Sequence, residues 1–123
     1  MTRGLVVLAL LFAALAADAR TVILYSRADA DHATRVQRLA RAFAPTFIDR
    51  DLPPGEQWRQ AIARAICAAD VVLLVWSARA AASIEVEREI ETVQRCGVRV
   101  VPVLIDDTPL PAGLAGAQGV DWR

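Results

Sequence analysis

Short apolar runs alternate regularly with longer amphipathic patterns from residue 20 onward in this 123-residue chain. The apolar runs are rich in β-branched residues, which predicts strands, and the last run is either a short strand or a tail. The runs cover residues 21–26, 46–49, 70–76, 98–105 and 119–122. Because helical crossovers of one hand join parallel strands, the pattern predicts an α/β fold with a flavodoxin-like, doubly wound parallel sheet of four to five strands.

Three helical patterns separate these strands, at residues 29–43, 57–69 and 84–96. Ser83 is suited to cap the third helix, and Gly97 is suited to end it. Glu85 and Glu87 lie in its first turn, where negative charge is favourable. No helical pattern follows the last strand, so we expect part of one sheet face to lie uncovered and to favour association.

The first nineteen residues have the composition of a secretory leader. Arg3 precedes an apolar run of about fourteen residues, and small residues around Ala16 and Ala19 suit cleavage. We therefore expect a leader at residues 1–19, a domain at 20–123, a mature chain starting at Ala17 or Arg20, and an exported or periplasmic protein. A buried helix and an uncleaved anchor stay open as alternatives, with a cytoplasmic or membrane-anchored protein. A spanning helix usually needs about twenty apolar residues.

The charges balance, with 14 basic and 14 acidic residues, and every basic residue is an arginine. No broad positive field exists to attract nucleic acid, so we expect no nucleic-acid partner, and contact with a membrane only if the leader is uncleaved. The absence of lysine excludes a P-loop and a phosphorylatable receiver domain. The G-x-G-x-x-G fingerprint of dinucleotide cofactor sites is also absent. We expect neither a resident cofactor nor a metal ion.

The cysteine and histidine residues show little sign of a metal site or a catalytic site. Cys67 and Cys96 are 29 positions apart without a nearby histidine, which argues against a zinc cluster. They are either two structural thiols or, in an exported chain, partners in a disulfide. His32 is the single histidine, and the sequence shows no nucleophile elbow with which it could form a hydrolase triad.

Five segments in sequence order carry a resemblance to a known family. Each joins an apolar strand or a helix start to polar residues; the segments are residues 22–27 with Asp29, 47–55 with Trp58, 71–77, 83–89 and 101–107. Together they make residues 21–122 resemble a bacterial Toll/interleukin-1 receptor (TIR) domain. The resemblance implies the TIR fold and a choice between two function classes.

One class implied by the resemblance hydrolyses NAD+ at the nicotinamide–ribose N-glycosidic bond, often only when assembled, so that NAD+ is a substrate. The other class comprises signalling or scaffold modules that bind other TIR domains or self-associate. In both, the resemblance assigns association to the BB loop after the second strand. Here that loop consists of Asp51, Leu52, Pro53, Pro54 and Gly55. A nucleoside deoxyribosyltransferase-like enzyme, which uses a glutamate nucleophile on a similar sheet, is a further alternative.

In catalytic members of the family a glutamate ends a pattern close to W-x-x-x-E on the helix after the third strand. The matching stretch runs from Glu85 to Glu89, so Glu89 falls on the family's glutamate and Glu85 replaces the tryptophan. On a helical wheel Glu89 lies roughly 65° from the centre of the apolar stripe, closer than its acidic neighbours. Around it, Ser26 and Arg27 are expected to meet the diphosphate or ribose, and Trp76 to supply an aromatic wall.

Overall fold

The computed structural model describes residues 19–42, 45–48 and 57–123. Five strands form one sheet in the order β2-β1-β3-β4-β5, and every neighbouring pair is parallel. The strands are β1 (Thr21–Leu24), β2 (Thr46–Ile48), β3 (Val71–Trp76), β4 (Arg99–Leu104) and β5 (Val120–Asp121). This order is the doubly wound arrangement, so the fold predicted from the alternating pattern is confirmed.

In the described ranges, four helices connect or flank these strands: α1 (Ala30–Arg41), α2 (Trp58–Cys67), α3 (Ala78–Ala81) and α4 (Ile84–Cys96). Single 3-10 turns occur at Arg27–Asp29 and Ala112–Leu114. The three long helices match the predicted patterns. The sequence pattern missed α3, because four residues are too few to show a helical period.

The predicted ends of α4 are confirmed. The Ser83 hydroxyl accepts a hydrogen bond from the Val86 N–H at 3.2 Å, which satisfies one free donor of the first turn. At the other end Gly97 has φ of 67°, in the left-handed region that closes a helix without a Cβ clash. The helix that carries Glu89 is thus set by local sequence at both ends.

The β3 strand is the centre of the core, and all six of its residues are buried. Its side chains alternate between two apolar clusters. Val72, Leu74 and Trp76 join the cluster under α2 and α4. Leu73 and Val75 join the cluster on the α1 side. Burial on both faces is the reason why the strand reads as an unbroken apolar run.

A disulfide joins Cys67 to Cys96, whose Cα atoms are 5.4 Å apart. These are the last residues of α2 and α4, so the bridge ties together the carboxyl ends of two neighbouring helices. The sequence left the state of these two thiols open, and the structure pairs them.

Two predicted features lie outside the described residues: the predicted leader at residues 1–19, except its last residue, and the association loop at residues 51–55. Over the ranges that the structure describes, no helix is both long enough and apolar enough to cross a membrane.

Candidate functional site

A cleft of about 110 Å³ opens between α2 and α4. Both helices pack on the same face of the sheet and contribute the walls. The lining residues are Trp58, Arg59, Ile62, Ala63 and Ile66 from α2, and Glu85, Arg88, Glu89 and Thr92 from α4. Ile62 and Ile66 are buried, whereas Arg59 and Arg88 are exposed, so the cleft combines an apolar part with a charged one.

Glu89 is the buried glutamate of α4. Its side chain is 8% exposed, whereas Glu87 and Glu91 are exposed and Glu85 is half-buried. The expectation that Glu89 is the most buried of the four glutamates is therefore confirmed, but Glu85 is more buried than Glu87, opposite to the order on the helical wheel. A carboxylate that is almost withdrawn from water but still lines an open cleft is placed to act on a ligand there. Its proposed role in catalysis stays a prediction.

Glu85 bridges the two walls near the mouth of this cleft. Its Oε1 atom lies 2.7 Å from Arg59 Nη2 of α2 and 3.7 Å from Arg88 Nη1 of its own helix. The Arg59 side chain is 62% exposed, so this ion pair contributes little to stability. The residue that replaces the family's tryptophan thus holds two guanidinium groups beside Glu89.

Arg27 lies next to the cleft through a contact with Trp58. Its guanidinium carbon is 5.7 Å from the centroid of the Trp58 ring, within range of a cation–π contact. Since Trp58 lines the cleft, Arg27 is brought to its border. Ser26 directly precedes Arg27 and is half-buried, but the structure does not place it in the cleft wall.

Trp76 is not brought to the Glu89 cleft. Its ring is buried, and Nε1 donates a hydrogen bond to the Pro109 carbonyl at 3.0 Å. Trp76 lines a different cleft, on the side of α4 that carries Glu87 and Glu91. The aromatic side chain in the wall of the Glu89 cleft is Trp58, which carried part of the family resemblance but was not predicted as a site residue.

A second polar network holds the loops at the carboxyl ends of the strands. Asp29, 2% exposed, accepts a hydrogen bond from the Ser77 hydroxyl at 2.5 Å and one from Arg79 Nη1 at 3.4 Å. The Ser77 oxygen in turn accepts from the Ala80 N–H. This network links the residues after β1 to those after β3. In the sequence, Asp29 carries part of the family resemblance, but no local pattern predicts this structural role.

Asp106 extends the connection to β4. Its carboxylate accepts hydrogen bonds from the N–H groups of Ala78 and Thr108, both at 2.9 Å. The bond from Ala78 is the main cause that lowers the Asp106 pKa below its usual value, since it favours the charged form. The loops after three strands are therefore joined through two aspartates.

Replacing Asp29 by alanine is expected to lower the free energy of unfolding by about 2–3 kcal/mol, because the Ser77 hydroxyl loses its acceptor in a buried position. Urea unfolding of wild type and Asp29→Ala would measure the difference. Asp31→Ala is the matched control, since Asp31 is exposed on the first turn of α1. Equal stability of the two variants would show that the network is dispensable.

Among the residues that the structure describes, no three His, Cys, Asp or Glu side chains come together in a possible metal site. The Glu89 cleft instead offers one carboxylate, an indole ring and arginines at the border. Such a set suits a ligand with a cationic or sugar group at the carboxylate and an anionic group outside.

Comparison with known proteins identifies the family. A family model described as TIR domain matches residues 22–123. Among solved structures, the TIR domain of the Toll-related receptor TRR-2 from Hydra magnipapillata has a similar fold, with a TM-score of 0.72 and 24% sequence identity. The match covers 83% of this chain and 82% of that one. No curated protein matches the sequence. Because the family model spans most of the sequence, the chain belongs to the TIR domain family.

Proposed function

We propose that this TIR domain hydrolyses NAD+ at the nicotinamide–ribose bond in the cleft between α2 and α4. One observation carries the proposal: the Glu89 carboxylate is 8% exposed and yet lines an open cleft beside an indole ring. The sequence resemblance supports the proposal, since Glu89 falls on the glutamate of the W-x-x-x-E-like pattern of catalytic TIR domains.

A single carboxylate is sufficient for this reaction. Ordinary glycosidases need a second carboxyl group as an acid, because their leaving group is poor. Nicotinamide leaves NAD+ from a cationic pyridinium, so the electron pair of the broken bond neutralises the ring and no proton is required. The water oxygen bonds to C1′ of the ribose, and its proton passes to solvent. Glu89 would stabilise the positive charge that develops on the ribose or hold its hydroxyls.

The size of the cleft limits how much of the substrate it holds. Sites for whole ligands of this kind usually enclose roughly 300–1,000 Å³, whereas this cleft measures about 110 Å³. We therefore expect the nicotinamide riboside end to enter beside Glu89 and Trp58. The diphosphate would lie at the border, within reach of Arg27 and close to Ser26. Trp76, in a different cleft, has no place in this arrangement.

The proposal is tested by nicotinamide release from NAD+ with the purified full chain at high protein concentration. Parallel assays with and without a crowding agent examine whether assembly is needed. We expect release that increases with protein concentration more steeply than linearly. Absence of release under every condition, including conditions where light scattering shows assembly, would exclude the hydrolase.

A second candidate function is a non-catalytic signalling or adaptor module. Membership of the TIR family supports it, since TIR domains generally interact with other TIR domains. This function requires an association surface rather than a reactive carboxylate. The two candidates are compatible, because association can hold with or without catalysis at Glu89.

Replacing Pro54 by histidine is expected to weaken self-association severalfold without unfolding the domain. Pro53 and Pro54 stiffen the loop and lower the entropy lost when it is ordered at an interface. Light scattering as a function of concentration would measure assembly, and circular dichroism would confirm folding. Pro109→His, at an exposed position of another loop, is the control. Identical assembly of both variants and wild type would show that the 51–55 loop is only a connector.

A further inference from the structure

A second cleft, here called the α3–α4 cleft, lies on the flank of α4 that carries Glu87 and Glu91. Its walls come from α3, α4, the end of β3 and the loop that follows β4. It measures about 450 Å³, whereas the Glu89 cleft measures about 110 Å³. Sites that enclose a whole small ligand usually measure roughly 300–1,000 Å³. The α3–α4 cleft is therefore large enough for such a ligand.

The floor of the α3–α4 cleft is apolar and fixed by packing. Trp76 is 4% exposed and Ala80 is 1% exposed, and the half-buried Ile90 packs against the same apolar cluster. The indole N–H of Trp76 already donates to the Pro109 carbonyl at 3.0 Å. Since an indole has no other polar group, Trp76 offers a ligand only apolar surface. The part of a ligand that lies on this floor therefore has to be apolar.

Gln94 connects α4 to the turn at Ala112–Leu114 across this cleft. A Cβ atom at Gly113 would overlap Gln94 Nε2, so the amide lies directly against the glycine. Both residues line the cleft. The α3–α4 cleft is therefore bounded by a contact between α4 and the loop after β4, and is more than an open strip of helix surface.

Two carboxylates of this cleft lack a counter-charge. Glu87 and Glu91 are exposed and lie four positions apart on α4, where like charges repel each other. Neither forms an ion pair with any side chain that the structure describes. Arg88, between them in sequence, instead lies 3.7 Å from Glu85, on the side of the Glu89 cleft. The rim of the α3–α4 cleft therefore carries two unbalanced negative charges.

An apolar floor below two carboxylates suits an organic cation better than a metal ion. Calcium takes six to eight oxygen ligands, and an indole and aliphatic side chains cannot replace them. A guanidinium or ammonium group donates charge-assisted hydrogen bonds to carboxylates, and an aliphatic stem can lie on Trp76 and Ile90. An indole ring also attracts a nearby cation. Both parts of the cleft are then matched by one molecule.

We propose that the α3–α4 cleft binds a small organic cation. Its guanidinium or ammonium group lies at Glu87 and Glu91, and its aliphatic stem lies against Trp76 and Ile90. The volume of the cleft favours a free small molecule over a single side chain of another protein. The proposal does not depend on catalysis at Glu89, which lines the other cleft.

Titration of the ¹⁵N-labelled full chain with two molecules of equal shape tests the proposal. n-Butylguanidinium carries a positive charge and n-butylurea does not. We expect the cation to bind at least about tenfold more tightly, and to shift the amide signals of Ala80, Ala81 and Gly113. Equal affinity for both molecules would overturn the proposal. Shifts confined to Ala63 and Thr92 would place the cation in the Glu89 cleft and would also overturn it.

The carboxylates are tested by removing one charge at a time. Glu87→Gln and Glu91→Gln should each raise the Kd for n-butylguanidinium about tenfold, because each removes a charged acceptor. Asp31→Asn is the matched control, since it removes the same charge from an exposed position on α1. Its Kd should equal that of the wild type. An equal rise in all three variants would show a general effect of net charge and would contradict the site.

A substitution that fills the cleft separates a built site from an acidic surface. Ala81 is exposed and lines the cleft, so Ala81→Phe should occupy its space, keep both carboxylates and abolish binding of n-butylguanidinium. Ala82→Phe is the control, because Ala82 is exposed and the structure does not place it in the cleft wall. Circular dichroism would confirm that both variants fold. Wild-type binding by Ala81→Phe would show that the carboxylates act only as a charged surface, against the proposal.

The source of the cation is tested with two further molecules. Agmatine is a free guanidinium compound with a second positive charge, and acetyl-arginine amide presents the same guanidinium group from a peptide unit. We expect agmatine to bind more tightly, because both of its charges can meet a carboxylate. Tighter binding of acetyl-arginine amide would assign the cleft to an arginine of another protein and overturn the proposal of a free cation.

Discussion

Replacing Glu89 by glutamine is expected to lower nicotinamide release from NAD+ on the order of a hundredfold or more, with little change in Tm. Glutamine keeps the size and the hydrogen-bonding reach of the side chain but removes its negative charge. If the carboxylate stabilises positive charge on the ribose, removal of its charge lowers kcat and leaves the Tm nearly unchanged. Steady-state rates and thermal unfolding of the same preparations would measure both.

Two other glutamates of α4 provide the internal controls. Glu87 and Glu91 are exposed and line the cleft on the other side of the helix. Glu87→Gln and Glu91→Gln remove the same charge from the same helix, so both should release nicotinamide at the wild-type rate. An active wild type with an equally active Glu89→Gln variant would show that the reaction site lies elsewhere. Loss of activity in all three variants would indicate a general effect of helix charge.

Removing the disulfide is expected to lower the free energy of unfolding by about 3–4 kcal/mol, because the bridge restricts the unfolded chain across a loop of this length. Cys67 and Cys96 are 29 positions apart. For a domain of this size the same loss corresponds to a fall in Tm of roughly 15 °C. Urea unfolding of the Cys67→Ser/Cys96→Ser double variant against oxidised wild type would measure it.

The reduced wild type serves as the control for this experiment. Reduction should bring its stability to that of the double variant, and reductant should leave the double variant unchanged, since the chain has only two cysteines. Oxidised and reduced protein of equal stability would show that the bridge does not restrain folding. Because the bridge joins the ends of the two helices that form the cleft, the double variant also shows whether NAD+ hydrolysis depends on their fixed spacing.

The elements of this fold could be predicted because their signals are local. Strand and helix periods differ, and each is set by residues close together in the chain. Ser83 and Gly97 mark the ends of α4 for the same reason. The burial of Glu89 follows from its position relative to the apolar stripe of one helix. The short helix α3 was not predicted, because its single turn depends on the Ser77 cap rather than on a repeated pattern.

The sequence by itself determined the order and type of the elements, the parallel sheet, and which glutamate of α4 faces inward. The tertiary structure alone decided that Trp58 rather than Trp76 lies beside Glu89, because that choice depends on how α2 packs against α4. It also paired Cys67 with Cys96 and buried Val103 and Val120 of the last two strands. These contacts join residues far apart in the chain, and their geometry is set by packing between elements, which no local period encodes.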